Sequence, residues 1–146
     1  MTTIPETHKD LLNAPVAVLG TVGSSGRPQL SGVWFLAEGD TVRISLNTVR
    51  QKVKNLQANP KVSLLIFGES PYKYLELRGD AEIAPDPDYE FADKVGAKYG
   101  GADMRKMDNP GETRVVVTIH PGRRHHPPGA GHHLGRQLAL PDGTAG

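Results

Sequence analysis

Ser45-Leu-Asn-Thr-Val-Arg-Gln-Lys-Val-Lys-Asn-Leu-Gln-Ala-Asn-Pro-Lys-Val-Ser-Leu-Leu-Ile-Phe67 reads as strand, basic helix, strand. Ser45 to Asn47 closes an alternating strand that begins at Thr41, with Val42, Ile44 and Leu46 on one face. A side-chain oxygen at Asn47 or Thr48 can serve the bare amides of the turn that follows. Val49, Val53 and Leu56 fall at i, i+4 and i+7, the apolar stripe of a short helix. Asn59-Pro60 stops it, and Lys61 to Phe67 is an apolar run of strand length. Arg50, Lys52 and Lys54 crowd the first turns, where a helix end presents free amides and partial positive charge. Such a place suits phosphate; the same residues also describe the solvated basic face of a surface helix. Arg50 and Lys52 flank the stripe on opposite sides, so a regular helix would not aim both at one anion. The phosphate reading requires the helix to begin irregularly near Arg50.

Upstream, Pro5 to Asn13 suggests a short helix, and Ala14 to Val22 a strand with Ala17, Leu19 and Thr21 on one face. Gly23 to Pro28 is turn chemistry, and Gln29 to Leu36 a second strand. Downstream, Gly68 to Pro71 turns the chain into a long strand, Tyr72 to Ile83, bent near Gly79, with Tyr72, Tyr74, Glu76 and Arg78 on one side. Asp88 to Tyr99 is an amphipathic helix, Gly100 to Gly111 is irregular, and Arg114 to His120 is the last strand. The expected fold is therefore mainly β with short helices. Six strands, the first three joined by tight turns, pair antiparallel and close into a small barrel that removes its edges. Regular βαβ alternation, the mark of a doubly wound sheet, is absent.

The 146 residues suggest a single folded domain over 1–122, followed by a Gly, Pro and His-rich tail over 123–146 expected to be flexible. Net charge is +1, so no global field points to nucleic acid. There is no cysteine, hence no disulfide framework and no thiol nucleophile. No apolar run approaches the ~20 residues that span a bilayer, and the N-terminus lacks the regions of a signal peptide. A cytoplasmic location without membrane association is the expectation. His125-His126 and His132-His133 have no carboxylate between them and nothing to fix their geometry, so no metal site is expected. No paired carboxylates and no Ser-His-Asp set can be assembled, and no catalytic residue is named. That pattern suits an enzyme whose cofactor carries the chemistry.

Three pieces together carry a family likeness: Val18-Leu-Gly-Thr-Val followed by Gly26-Arg-Pro-Gln-Leu-Ser; Ser45 through Leu56, closing on Asn59-Pro-Lys-Val-Ser; and Tyr74-Leu-Glu-Leu-Arg-Gly-Asp-Ala-Glu-Ile. In that order the chain resembles the split-barrel flavin and deazaflavin oxidoreductases related to pyridoxamine 5′-phosphate oxidase. It is most similar to the branch that binds the deazaflavin coenzyme F420. The resemblance implies a homodimer of two barrels with the cofactor in a groove between them, acting on a small electron-poor organic substrate. It implies that Arg50 and Lys52 hold the phosphate, that Ser45, Asn47 and Thr48 pass the ribityl chain, and that Gln29, Ser31, Val33 and Trp34 line the ring system. It places Tyr74 in the groove from the other subunit. The same barrel leaves two alternatives open: an oxidoreductase using flavin mononucleotide (FMN), and a non-catalytic carrier of a cofactor or haem. The further basic and aromatic residues with which the true oxidases hold pyridoxal phosphate have no counterpart here.

Overall fold

The computed structural model describes residue 4 and residues 6–39, 41–70 and 72–122. Seven strands run β1 (Ala17–Val22), β2 (Pro28–Val33), β3 (Leu36–Glu38), β4 (Thr41–Asn47), β5 (Lys61–Phe67), β6 (Tyr74–Pro85) and β7 (Arg114–Pro121). They form one curled sheet in the order β2-β1-β5-β6-β7-β4-β3, every neighbouring pair antiparallel. Helices α1 (Gln51–Ala58) and α2 (Glu90–Lys98) follow β4 and β6, and 3₁₀ runs occupy Glu6–Asn13 and Met104–Lys106. The segment 123–146, with its histidines and with Arg123 and Arg124, lies outside the described residues.

The sheet is split by β6. Its first part, Tyr74 to Asp80, pairs with β5, and its second, Gly79 to Pro85, pairs with β7. One strand thus belongs to both halves, and the changeover falls at Gly79. A Cβ built there would lie 2.2 Å from the carbonyl oxygen of His120. The backbones of β6 and β7 approach too closely for any side chain, which is why the bend needs glycine. Gly79→Ala is expected to lower stability by about 1–3 kcal/mol, the usual range for overpacking. Thermal melting would measure it, and an unchanged melt would mean the crossing relaxes freely.

Alternation on each strand supplies the core. Ala17, Leu19, Val42, Ile44, Leu46, Val62, Leu64, Ile66, Leu75, Leu77, Val115, Val117 and Ile119 face inward as one buried cluster. Val53 and Leu56 of α1 and Leu11 of the first 3₁₀ run close it. Val49 is not part of the helical stripe expected from its spacing. It precedes α1, in a turn, and is 52% exposed.

The strand expected from Gln29 through Leu36 is broken, so the sheet has seven strands rather than six. The break sits at Phe35, which is fully buried. Its N–H donates to Tyr99 Oη (3.1 Å), and its carbonyl accepts from Lys98 Nζ (2.9 Å) and from Tyr99 Oη (3.2 Å). Side chains from the end of α2 satisfy this corner in place of a ladder. The chain then turns outward, and Leu36–Glu38 pairs with β4 instead. Helix α2 packs on the outer side of that half-sheet, where Phe91, Ala92, Val95 and Met104 gather Trp34, Tyr99 and Val116 into a second, smaller core. The buried Asp86 carboxylate caps this helix, accepting from the amides of Phe91 (3.2 Å) and Ala92 (2.9 Å).

Candidate functional site

The end of β4 sets the start of α1. Asn47 Oδ1 accepts from the amide of Val49 (2.9 Å), and its carbonyl accepts from the amide of Arg50 (3.1 Å). These bonds fold 47–50 into a turn and leave Arg50 extended, at φ −70° and ψ 141°, as the residue before the helix. The irregular start that the phosphate reading requires is therefore present. Arg50 is exposed and Lys52 half-buried. Among the described residues, neither side chain forms a hydrogen bond or an ion pair. Burial pushes the Lys52 ammonium below the usual lysine range, and the positive charge of Arg50 pushes it further. Two cations that repel each other, with no acid between them, are stabilised by an anion at the free amides of a helix end.

A buried polar network holds that turn. Asn47 Nδ2 donates to Asp108 Oδ1 (2.9 Å) and to Glu112 Oε1 (2.8 Å). Asp108 receives Arg114 on both oxygens, at 2.8 and 2.9 Å, and the hydroxyl of Tyr89 at 2.6 Å. The Arg114 guanidinium, with the Tyr89 and Asn47 bonds, holds the Asp108 carboxyl down to about 2. Ser45 Oγ accepts from Arg114 Nη1 (3.3 Å). The amide and hydroxyl of Thr48 bind the carbonyl of Thr113 at 2.9 and 3.2 Å. Ser45, Asn47 and Thr48, expected along a ribityl chain, thus direct much of their hydrogen bonding to the 108–114 loop.

A second network ties α1 to β1 and β2. Asn55 Nδ2 donates to Thr21 Oγ1 (3.1 Å) and to Gln29 Oε1 (3.3 Å), and Gln51 Nε2 donates to Asn55 Oδ1 (2.9 Å). Gln29 therefore connects, through one residue, to the first turn of the helix that carries Lys52. Ser31 and Val33 follow Gln29 along the same side of β2, across from Leu19 and Ala17. Val33 is buried, and Ser31 Oγ is buried without a partner. Orphaned buried hydroxyls of this kind are uncommon.

Two expected site residues stand apart from these networks. Trp34 stacks on Tyr99, ring centroids 4.3 Å apart and planes 4° from parallel. One face of its ring is thus occupied by α2. Tyr74 is buried at the start of β6, edge-on to Phe67 with centroids 6.2 Å apart. Sequence reading missed Asn55, Gln51, Tyr89, Asp108, Glu112 and Arg114. The one local signal was an acid and a base, Asp108 and Arg114, bracketing the turn at Gly111.

The profile of the family described as pyridoxamine 5′-phosphate oxidase matches residues 4–126. The chain belongs to the pyridoxamine 5′-phosphate oxidase family. Within its fold, a solved structure named F420 reductase is 36% identical, with a TM-score of 0.71, covering 81% of this chain and 95% of its own. HupZ of Group A Streptococcus is 26% identical at a TM-score of 0.63, covering 81% and 89%. A conserved hypothetical protein from Mycobacterium tuberculosis is 25% identical at 0.63, covering 82% of each chain. For a member of the pyridoxamine 5′-phosphate oxidase family, this points to redox chemistry with a flavin or a deazaflavin. Among the described residues no helix is long and apolar enough to cross a membrane, and no group of three His, Asp or Glu side chains is placed to hold a metal.

Proposed function

We propose that the chain is a deazaflavin-dependent oxidoreductase. It would take coenzyme F420, with its phosphate on Arg50 and Lys52, in a groove between two copies of the chain. One observation carries the reading: a pair of unpaired, mutually repelling cations at an irregular helix start. The likeness to an F420 reductase supports the choice of cofactor. The buried, partnerless Ser31 hydroxyl fits a bound polar molecule along β2. When bound, the deazaflavin supplies hydride transfer to or from a small electron-poor substrate. The protein's own residues anchor and orient. Arg50 and Lys52 neutralise the phosphate, Asn47 and Asp108 fix the turn that aims them, and Asn55 with Gln29 holds α1 against the strand that carries Ser31.

Absorbance and fluorescence titrations with F420 and with FMN test this directly. Saturable binding of F420, tighter than FMN, is expected. Binding of FMN alone would favour the alternative oxidoreductase, which the family profile and the same cationic pair also accommodate. Binding without turnover across a panel of enones, quinones and nitro compounds would favour a carrier.

The cationic pair also sets a pH dependence. Only the protonated Lys52 ammonium attracts phosphate, and its folded-state value lies below the ordinary 10.5. Affinity is therefore expected to fall as pH rises through that lowered value. Lys52→Arg, which keeps its charge, should remove the alkaline fall. A parallel fall in parent and variant would assign it to another group.

A further inference from the structure

Among the described residues, Tyr89 is the only non-glycine residue with a positive φ, at φ 60° and ψ 24°. A bulky side chain in that left-handed region is an outlier, and glycine or asparagine would sit there with less strain. Such strain persists only where the surroundings over-determine it. The Asp86 carbonyl accepts from the Tyr89 amide (3.2 Å), and the Tyr89 carbonyl accepts from the amide of Asp93 (2.8 Å). The Arg105 guanidinium lies over the ring, 4.8 Å from its centroid. These contacts hold the residue at the start of α2 and send its hydroxyl to Asp108 Oδ2. Arg114 binds both oxygens of that carboxylate, Tyr89 adds a second donor to Oδ2, and Asn47 adds a second donor to Oδ1. Helix α2 and the turn before α1 therefore meet on one buried group.

We propose that Tyr89 is a positioning residue for the phosphate-binding cations, acting through Asp108 and Asn47 on the turn that aims Arg50. This role rests on the phosphate reading above and adds to it a residue from a different element. The path consists of single hydrogen bonds. Tyr89 fixes one side of Asp108, and Asp108 fixes the Asn47 side-chain amide. Asn47 Oδ1 and the Asn47 carbonyl then close the turn on the amides of Val49 and Arg50. A residue kept only to fill space would not need the strained backbone; the hydroxyl is the part that reaches the network. Glu112 also holds Asn47, at 2.8 Å, so losing the hydroxyl loosens the turn without releasing it.

Tyr89→Phe removes the hydroxyl and keeps the ring. Asp108 retains Arg114 and Asn47 in that variant, so the fold should survive. Fluorescence titrations with F420 and with the ribityl deazaflavin that lacks a phosphate test the proposal, at a temperature where melting curves show parent and variant folded. The preference for F420 over the phosphate-free compound should fall by about fivefold in the variant, within the range for coupling passed through intervening side chains. Affinity for the phosphate-free compound should be nearly unchanged. Equal losses for the two compounds would make Tyr89 a purely structural residue and overturn the proposal, as would a variant that matches the parent with both. Failure of the phosphate reading shows in the parent instead. A parent that binds neither compound, or both equally well, loses the phosphate site and the role of Tyr89 with it.

Discussion

An Arg50→Ala/Lys52→Ala double variant should bind F420 roughly 10²–10⁴-fold more weakly than the parent, since charge-assisted bonds contribute about 1.5–3 kcal/mol each. The lower end is the better guide, because Arg50 is exposed and its charge is screened. Stability should change little or rise slightly. Neither side chain holds a partner in the described residues, and removing both relieves the repulsion felt by Lys52. The two single variants should sum to more than the double, because the proposed site sets both cations on one phosphate. Fluorescence titration gives the affinities, and a melting curve checks the fold. Unchanged affinity in the double variant would place the phosphate elsewhere. Lys54→Ala serves as a control for general basic charge.

Asp108→Asn should destabilise the fold by about 3–5 kcal/mol, the usual consequence of removing one member of a buried ion pair. At this chain length that lowers the melting temperature by roughly 10 °C or more. The Asp108 side chain is 4% exposed and that of Arg114 is 9% exposed, so the orphaned guanidinium cannot reach water without moving the loop. The pH dependence follows from the carboxyl, held at about 2 against an ordinary 3.8. A depressed carboxyl stabilises the fold above its unfolded value and loses that contribution as pH falls through the folded one. About 2 kcal/mol should therefore disappear between about pH 4 and pH 2 in the parent. The same span should be flatter in Asp108→Asn. Combining it with Arg114→Met, which removes the stranded charge, should recover part of the loss. A variant that melts like the parent would show that the ion pair adds nothing. Because Asp108 also holds Asn47, the single variant should weaken cofactor affinity as well, through the aim of Arg50.

What the sequence revealed was local. The alternation of Val42, Ile44 and Leu46, the helix ending before Asn59-Pro60, the bend at Gly79 and the Phe91–Val95 face of α2 all depend on residues within a few positions of one another. The irregular helix start at Arg50 was legible for the same reason, since a turn and a helix start are written in consecutive residues. What was hidden crosses the chain. Asn47 meets Asp108 and Glu112 more than sixty residues away, and Trp34 meets Tyr99 at a similar separation. No periodicity marks such pairs. Phe35 read as the interior of a strand because its neighbours are apolar. Its backbone partners are Lys98 and Tyr99, which lie beyond five intervening elements.

Strand β6 ladders with β5 along one stretch and with β7 along the next. Neither half of the molecule can melt while the other keeps its edge intact. Amide protons on β5 and β7 should therefore exchange with deuterium at one shared, slow rate, through a single cooperative opening of the sheet.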